Sequence, residues 1–398
     1  MLLKGLKVVE FASYIAAPGA AGLLCDWGAE VIKVERPTGD PMRRVLADTR
    51  SEIRENPTFE LDNRGKQAIA LDITHEAGRE ALIRLTEQAD VFLTNVRLAS
   101  LKRYGLDDKA LRARNPRLVY AVVTGYGLEG PDAAKPGFDM AAFWARGGVA
   151  HMTAPRGVDP FMLRSGFGDH ICSLATVSAI LAALWERERT GEGRLVEASL
   201  LSTGIYTMGS DLAVQLRLGR LSRMRTRDDP LDPLNNFFQS AEGRWFVVRR
   251  RDGGPDFEAL AGAAGRADLL EDPRFSTGRA RKELAKELTA ELDKGFNALP
   301  FETIARRLDD ADLVWAPVQT PAEVAADHQA IASGCFVEIE HEGETPYLSP
   351  SGPARFPGVP LSPRPPAPAL GADTRQLLAG LGYSDAEIEA MLESGAAA

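Results

Sequence analysis

Residues 6–35 of this chain read LKVVEFASYIAAPGAAGLLCDWGAEVIKVE, and this stretch decides the fold. Two apolar runs, LKVVEF and AEVIKVE, flank a loop and an Ala- and Leu-rich segment, which predicts a strand, a loop, a helix and a second strand. A crossover helix of this kind joins parallel strands. The same alternation returns over residues 66–127, so we predict an open, Rossmann-like α/β domain built on a parallel sheet.

The rest of the sequence predicts a second, smaller domain. A polar, proline-containing stretch at residues 216–236 has the composition of a linker. Residues 237–325 open with a hairpin pattern that turns near Gly243, and they continue through short helical segments, which is typical of a small α+β domain. Residues 1–215 then form the N-terminal part of the large domain. Residues 326–398 contain a proline-rich return linker and a closing amphipathic helix.

Composition narrows the classes of function. Of the 398 residues, 44% are hydrophobic and 26% are charged, as in a soluble globular protein. The formal charge of −9 argues against a nucleic-acid partner, because phosphates would be repelled overall. The longest mostly apolar segment, Ile171 to Trp185, is shorter than the roughly 20 residues that cross a bilayer, so we expect no membrane partner.

Several familiar kinds of site are not expected. The three cysteines form no CxxC pair and the five histidines no HxxxH or HxH spacing, so we expect no metal, no disulfide framework and a reducing compartment, the cytoplasm. The loop after the first strand carries no GxGxxG, which argues against a nicotinamide or flavin dinucleotide held in the usual way. A GxSxG elbow is also missing, which argues against an α/β-hydrolase.

Asp169 is the candidate catalytic residue. It lies at the start of a predicted helix that runs from Gly168 to Gly191 with apolar residues along one face. One interpretation is an Asp that only caps this helix. The other interpretation uses the same physics: a helix N-terminus keeps a carboxylate ionised, and the flanking glycines let a substrate carbonyl approach, so an exposed Asp here would be a competent nucleophile.

Many spaced motifs of this chain, taken together, resemble the family III CoA-transferases, also called the CaiB/BaiF family. After the opening stretch they are NRGKQAIALDI, ADVFLTN, RYGLDDKALRARNPRLVY, GYGLEGP, PGFD and GDHICSLATVSAILAALWERERTGEGRLVEASL. The resemblance covers nearly the whole chain. It implies an interlocked homodimer, a large domain completed by the C-terminal segment, and coenzyme A handled as a substrate.

The resemblance also implies site residues. The family's nucleophile matches Asp169, which would take CoA from an acyl-CoA donor and pass it to a free carboxylic acid through a covalent aspartyl intermediate, with the N–H of Gly168 as a candidate oxyanion donor. CoA would lie over the first βα loop and the crevice beside it. The implied CoA-binding residues are Ser13, Ala16, Arg36, Asn95, Arg103 and Tyr104, and the implied substrate-binding residues are Phe138, Gly253 and Gly254.

Departures from the family pattern narrow the activity. Ile15 stands where formyl-CoA transferases carry a Gln, so formate and oxalate are not expected as substrates. The pair SYIAAP and GFDMAAFWARGG resembles the branch that acts on aryl 2-hydroxy acids and bile acids, which predicts a bulky or apolar carboxylic acid. Two alternatives stay open here. One is an α-methylacyl-CoA racemase-like isomerase, which would need a His in place of Phe138 and a Glu near Gly254; the other is a non-catalytic CoA-binding protein.

Overall fold

The computed structural model describes residues 1–45, 56–251, 256–340, 345–359 and 365–398. The chain divides into two compact units. The first consists of Met1–His151, Pro160–Leu221 and Ala332–Ala398, and the second of Met152–Asp159 and Ser222–Ile331. The short segment Met152–Asp159 therefore lies in the second unit, although the sequence on both of its sides lies in the first.

The first unit is built on a six-stranded sheet in which all neighbouring strands run parallel. The strands of the described chain are β1 (Lys7–Phe11), β2 (Glu30–Glu35), β3 (Gln67–Ala70), β4 (Val91–Thr94), β5 (Val119–Thr124), β6 (Leu195–Ser199), β7 (Asn236–Gln239), β8 (Trp245–Arg249), β9 (Val314–Pro317), β10 (Phe336–Ile339) and β11 (Tyr347–Pro350). The order of the large sheet is β3-β2-β1-β4-β5-β6, which confirms the predicted parallel α/β fold. The strand order reverses between β1 and β4, and a crevice opens at such a point beyond the carboxyl ends of the strands.

Helices cover both faces of this sheet. The α-helices of the described chain are α1 (Ala16–Asp26), α2 (Pro57–Asn63), α3 (Glu76–Glu87), α4 (Leu98–Arg103), α5 (Asp108–Arg114), α6 (Val149–Thr153), α7 (Phe167–Thr190), α8 (Leu200–Thr207), α9 (Gly209–Leu218), α10 (Asp256–Ala263), α11 (Gly278–Glu283), α12 (Ala285–Phe296), α13 (Phe301–Asp310), α14 (Pro321–Ala326), α15 (His328–Ala332), α16 (Thr374–Gly380) and α17 (Asp385–Glu393). Val8 and Val91 face the core formed with α1 and α7, whereas their neighbours Val9 and Phe92 face the core formed with α3 and α17. Because both faces are buried, the strands read as continuous apolar runs.

The long helix α7 packs along α1 and carries the candidate nucleophile near its first turn. It ends, as predicted, at Gly191, which has a left-handed φ of 76°. The helix has 24 residues and contains an 18-residue stretch with a mean hydropathy of 1.5, so it could cross a membrane by length and composition alone. Core helices of soluble proteins have the same properties, and Cys172, Val177 and Ile180 of this helix are buried in the core.

The second unit has its own core around a three-stranded antiparallel sheet of order β7-β8-β9. Strands β7 and β8 form the predicted hairpin, and Gly243 in its turn has a φ of 80°. Aromatic side chains from the sheet and from α12, including Phe238, Phe246 and Phe296, pack against one another at centroid distances of 5.0 to 6.1 Å. The small sheet is thus held by an aromatic core.

The C-terminal segment returns to the large sheet. The N–H of Asp373 donates to the carbonyl of Ala68 in β3 at 2.9 Å, and the Asp373 carboxylate accepts from the N–H of Ala68 at 2.8 Å. Further along, Leu71 forms an antiparallel bridge with Ala397. The edge beside β3 is therefore covered by the last residues of the same chain.

Candidate active site

Asp169 lies in the first turn of α7, where its side chain is half-buried. The helix begins after Gly166, whose φ of 89° is a left-handed conformation that favours glycine. Burial raises the pKa of Asp169, and the nearby carboxylate of Asp139 raises it further, to about 7. Asp169 therefore titrates near neutral pH. The sequence-based expectation that the helix N-terminus keeps this carboxylate ionised is wrong to that extent.

Asp139 is a buried carboxylate that holds the start of α7. Its Oδ2 accepts hydrogen bonds from the N–H groups of Gly166 at 3.1 Å and Gly168 at 3.2 Å. A Cβ atom added to Gly168 would overlap Asp139 Oδ1 and the ring of Phe143, so glycine is required at this position. The Gly168 N–H donates to Asp139 in this structure, and its predicted role as an oxyanion donor would require that bond to be exchanged.

His170 follows Asp169 and contacts a second buried carboxylate. Its Nε2 lies 3.0 Å from Oδ1 of Asp62, which belongs to α2. This hydrogen bond raises the pKa of His170, while burial raises the pKa of Asp62. The charge of His170 lowers the pKa of Asp169 and so opposes the effects of burial and of Asp139. Asp169 is therefore subject to a carboxylate that disfavours its ionisation and an imidazole that favours it.

The first βα loop is held by side-chain hydrogen bonds. The N–H of Ser13 donates to Asn95 Oδ1 at 3.0 Å, and Asn95 Nδ2 donates back to the carbonyl of Ser13 at 2.6 Å. Tyr14 has a left-handed φ of 69°, and its N–H donates to Asp40 Oδ1. The carbonyl of Ala16 accepts from Ser173 Oγ at 2.7 Å, which joins the loop to α7. The structure thus brings Ser13, Asn95 and Ala16 together beside the helix that carries Asp169.

A buried network of charges connects this loop to the neighbouring strands. Lys33 Nζ lies 2.8 Å from Glu10 Oε1 and 3.0 Å from Asp40 Oδ2, and Lys66 Nζ lies 2.5 Å from Glu10 Oε2. Burial alone would raise the pKa of Glu10, but the two lysines hold it below its usual value. Charges without solvent are stable only when they are paired in this way. The network fixes Asp40, which is the acceptor for the N–H of Tyr14.

Exposed aromatic rings lie near the start of α7. The ring of Phe138 is 59% exposed and meets Tyr14 edge to face at 5.6 Å between centroids. Phe167, in the first turn of α7, is 52% exposed. Ile15, by contrast, is buried in a small cluster with Phe59 and two other apolar side chains, so it presents no polar group to a ligand.

The remaining predicted residues that the structure describes lie after β2 and at the end of α4. Arg36 directly follows β2 and is exposed. Arg103 ends α4 and is also exposed, and Tyr104 is half-buried against the core behind that helix. Gly253 and Gly254 lie outside the described residues.

Three features of this site are not predicted from the sequence. Asp139 could have been found, because it ends the motif PGFD. Asp62 could not, because 108 positions separate it from its partner His170. The buried network has a signal as well, since Glu10 and Lys33 interrupt otherwise apolar strands and a charge in a buried strand requires a partner.

Comparisons with known proteins show the family to which the chain belongs. The family described as CoA-transferase family III matches residues 3–374. The chain is 32% identical to (R)-2-hydroxy-4-methylpentanoate CoA-transferase of Clostridioides difficile, over 99% of both proteins. It is 31% identical to cinnamoyl-CoA:phenyllactate CoA-transferase of Clostridium sporogenes, over 98% of this chain and 95% of that protein. The crystal structure of a CaiB/BaiF family protein from Brucella suis matches with a TM-score of 0.85 at 31% identity, over 95% of this chain and 99% of the other.

Proposed function

The chain belongs to CoA-transferase family III and is a CoA-transferase, and we propose that it transfers CoA through a covalent intermediate on Asp169. The observation that carries the proposal is the position of Asp169 at the start of α7, half-buried, with a pKa of about 7. A carboxylate that is ionised for much of the time at neutral pH and poorly hydrated is a better nucleophile than one in water.

The reaction proceeds by acyl exchange. An ionised oxygen of Asp169 attacks the thioester carbonyl, the C–S bond breaks, and CoA leaves as the thiolate, which produces a mixed anhydride of Asp169 and the donor acid. The thiolate then attacks the Asp169 carbonyl of the anhydride, and the donor acid leaves as a carboxylate. The product on the protein is a thioester between Asp169 and CoA. An acceptor carboxylate reverses these two steps and regenerates the ionised Asp169. The attacking group is the carboxylate anion and no step transfers a proton. The ionised form of Asp169 is therefore the reactive one.

CoA binds over the loop between β1 and α1 in this proposal. The backbone at Ser13 and Ala16 and the amide of Asn95 form the floor, since their hydrogen bonds hold the loop in place. The exposed guanidinium of Arg36, at the carboxyl edge of the sheet, suits a phosphate, which it can bind in a fork. Arg103 and Tyr104 contact the adenine end in the same proposal.

The acceptor is a bulky or apolar carboxylic acid. The exposed ring of Phe138, which touches Tyr14 beside the first turn of α7, supports an apolar acyl pocket. The two related enzymes named above take their names from 2-hydroxy-4-methylpentanoate and phenyllactate, acids with branched or aromatic side chains. Ile15 is buried and apolar, which supports the exclusion of formate and oxalate.

We propose an interlocked homodimer in the cytoplasm as the working form. Helices α7 to α9 carry large apolar side chains that the single chain leaves exposed, including Trp185 at 70%, Tyr206 at 86% and Leu216 at 84%. Apolar side chains concentrated on one set of helices are typical of a protein interface. Size-exclusion chromatography with light scattering would give the mass of two chains, whereas a monomer would contradict the assembly.

The test of the function is an exchange assay coupled to peptide mass spectrometry. The protein is incubated with cinnamoyl-CoA or 4-methylpentanoyl-CoA and with phenyllactate, 2-hydroxy-4-methylpentanoate, formate or oxalate. We expect CoA exchange with the two apolar acids, and a CoA adduct on the peptide that contains Asp169. Asp169→Asn should abolish both, while Asp159→Asn, which changes an exposed carboxylate, should leave both unchanged.

Other outcomes would contradict the proposal. Exchange that survives in Asp169→Asn would mean that another group is the nucleophile. Incorporation of deuterium at the α-carbon without any CoA exchange would indicate the isomerase instead. Binding of acyl-CoA without turnover of any acid would indicate a CoA-binding protein.

A further inference from the structure

The pair formed by Asp62 and His170 has no part in the acyl exchange described above. Asp62 lies in α2 and His170 in α7, and their side chains meet at 3.0 Å. The carboxylate of Asp62 is only 3% exposed, whereas the imidazole is 41% exposed. A buried anion on one side and a solvent-facing ring on the other therefore lie directly beside the candidate nucleophile.

The contact with His170 is the side-chain hydrogen bond that Asp62 forms among the described residues. Its Oδ2 finds no hydrogen-bond partner among the described residues, and its Oδ1 pairs with His170. The nearest buried cation, Lys66, donates instead to Glu10, to the carbonyl of Pro18 and to Asn63. Burying a carboxylate with a single partner is costly, so a structural reason alone would favour an apolar side chain at this position.

The neighbouring helix leaves room for the pair. A Cβ atom on Gly19 of α1 would lie 3.2 Å from Asp62 Oδ1, 3.5 Å from His170 Cδ2 and 2.7 Å from Ser173 Oγ. Only a residue without a side chain fits under the contact without displacing one of these atoms. The backbone of α1 thus comes close to the pair on the side away from solvent.

The charges that face this pair have opposite effects on Asp169. Asp139 and Asp62 disfavour the ionised form of Asp169, and His170 favours it. Lys66, in the turn before β3, lowers the pKa of Asp62, whereas Glu10, in β1, raises it. A protonated His170 is therefore the one cation that acts directly on Asp169 among these groups.

We propose that Asp62 is a positioning residue for the reaction: by holding Nε2 of His170, it keeps a cationic imidazolium beside Asp169 and so favours the ionised, nucleophilic form of that carboxylate. The inference rests on the proposed role of Asp169. It adds two residues that do not touch the reacting atoms but decide the pH at which the nucleophile is available. The alternative is that the contact only ties α2 to α7.

His170→Gln separates these two explanations. A Gln amide can still donate to Asp62 Oδ1, so the tie between the helices is kept while the positive charge is lost. We expect its urea unfolding midpoint to stay close to that of the wild type. We expect the acid limb of adduct formation on Asp169 to move up by about one pH unit, with a roughly tenfold slower rate at pH 6.5 that recovers at pH 9. An unchanged acid limb of adduct formation together with a lowered urea unfolding midpoint would overturn the proposal. It would mean that the contact only ties α2 to α7.

Asp62→Asn tests the second member of the pair, with Asp62→Glu as the conservative rescue. NMR of histidine labelled at Cε1, with His170 assigned from the signal missing in His170→Gln, reports its titration in the resting protein. We expect Asp62→Asn to lower the pH midpoint at which His170 titrates. The loss of the His170 charge then moves the acid limb of adduct formation to higher pH, because His170 affects Asp169 more strongly than Asp62 does directly. Asp62→Glu should restore both in part. An acid limb that moves to lower pH in Asp62→Asn, or that stays in place in both Asp62→Asn and His170→Gln, would refute the coupling to Asp169. If Asp62→Asn does not fold, His170→Gln decides the question alone.

Failure of this inference and failure of the proposed function differ in what is seen. If wild-type protein forms no adduct on Asp169, the proposed function is wrong and the positioning role falls with it. The other case is an adduct that forms in the wild type and disappears in Asp169→Asn, while its pH profile is the same in His170→Gln and Asp62→Asn as in the wild type. In that case the proposed function stands and only the positioning role is wrong.

Discussion

Replacing Asp139 by Asn is predicted to shift the pH range in which Asp169 reacts, in the direction opposite to His170→Gln. Asp139 raises the pKa of Asp169 through its negative charge. An Asn side chain keeps an oxygen for the N–H groups of Gly166 and Gly168, which Asp139 now binds at 3.1 and 3.2 Å. The substitution therefore removes the charge and leaves the hydrogen bonds that hold the start of α7.

The magnitude follows from the position of the titration. With a pKa of about 7, Asp169 is roughly 9% ionised at pH 6 and roughly 91% ionised at pH 8, so the rate of adduct formation should rise about tenfold between these values. If Asn lowers the pKa of Asp169 by about one unit, the rise shrinks to roughly twofold. The change in the variant should be a gain of rate at acidic pH.

Rapid-quench mass spectrometry of the Asp169 peptide, at saturating acyl-CoA and over pH 5 to 9, measures this rate directly. Asp159→Asn serves as the control and should reproduce the wild-type profile. An acid limb in Asp139→Asn that stays in place, or that moves to higher pH, would refute the argument that the neighbouring carboxylate controls Asp169.

Three further predictions concern stability and accessibility. Gly168→Ala should lower the unfolding free energy by about 1 to 3 kcal/mol and abolish the adduct, because its Cβ would overlap Asp139 and Phe143; urea titration and the exchange assay measure the two effects. Lys33→Met should cost about 3 to 5 kcal/mol by leaving buried carboxylates unpaired, and adding Glu10→Gln should recover part of the loss, whereas strict additivity would contradict the pairing. A thiol reagent should modify Cys335 alone in the folded protein and all three cysteines in urea; rapid labelling of a second thiol in the native state would contradict their burial.

Much of the fold follows from local patterns that act within a few residues. The alternation of apolar strands with helices predicts a parallel sheet, and Gly191 predicts where α7 ends, because each signal concerns backbone conformation or the burial of adjacent side chains. The hairpin at Gly243 follows for the same reason. The membership of α7 in the core follows less directly, since its length and hydropathy also suit a membrane helix.

The sequence alone determined the family, the parallel α/β sheet and Asp169 as the candidate nucleophile, because ordered motifs and helix boundaries are written in neighbouring residues. Only the tertiary structure decided the pH range in which that nucleophile titrates. A pKa depends on burial and on the charges that folding brings within a few ångströms, and here those charges come from distant positions, Asp62 and Asp139. The helix N-terminus, which can be read from the sequence, favours an ionised carboxylate. Burial and the proximity of Asp139, which arise only on folding, move its titration to neutral pH.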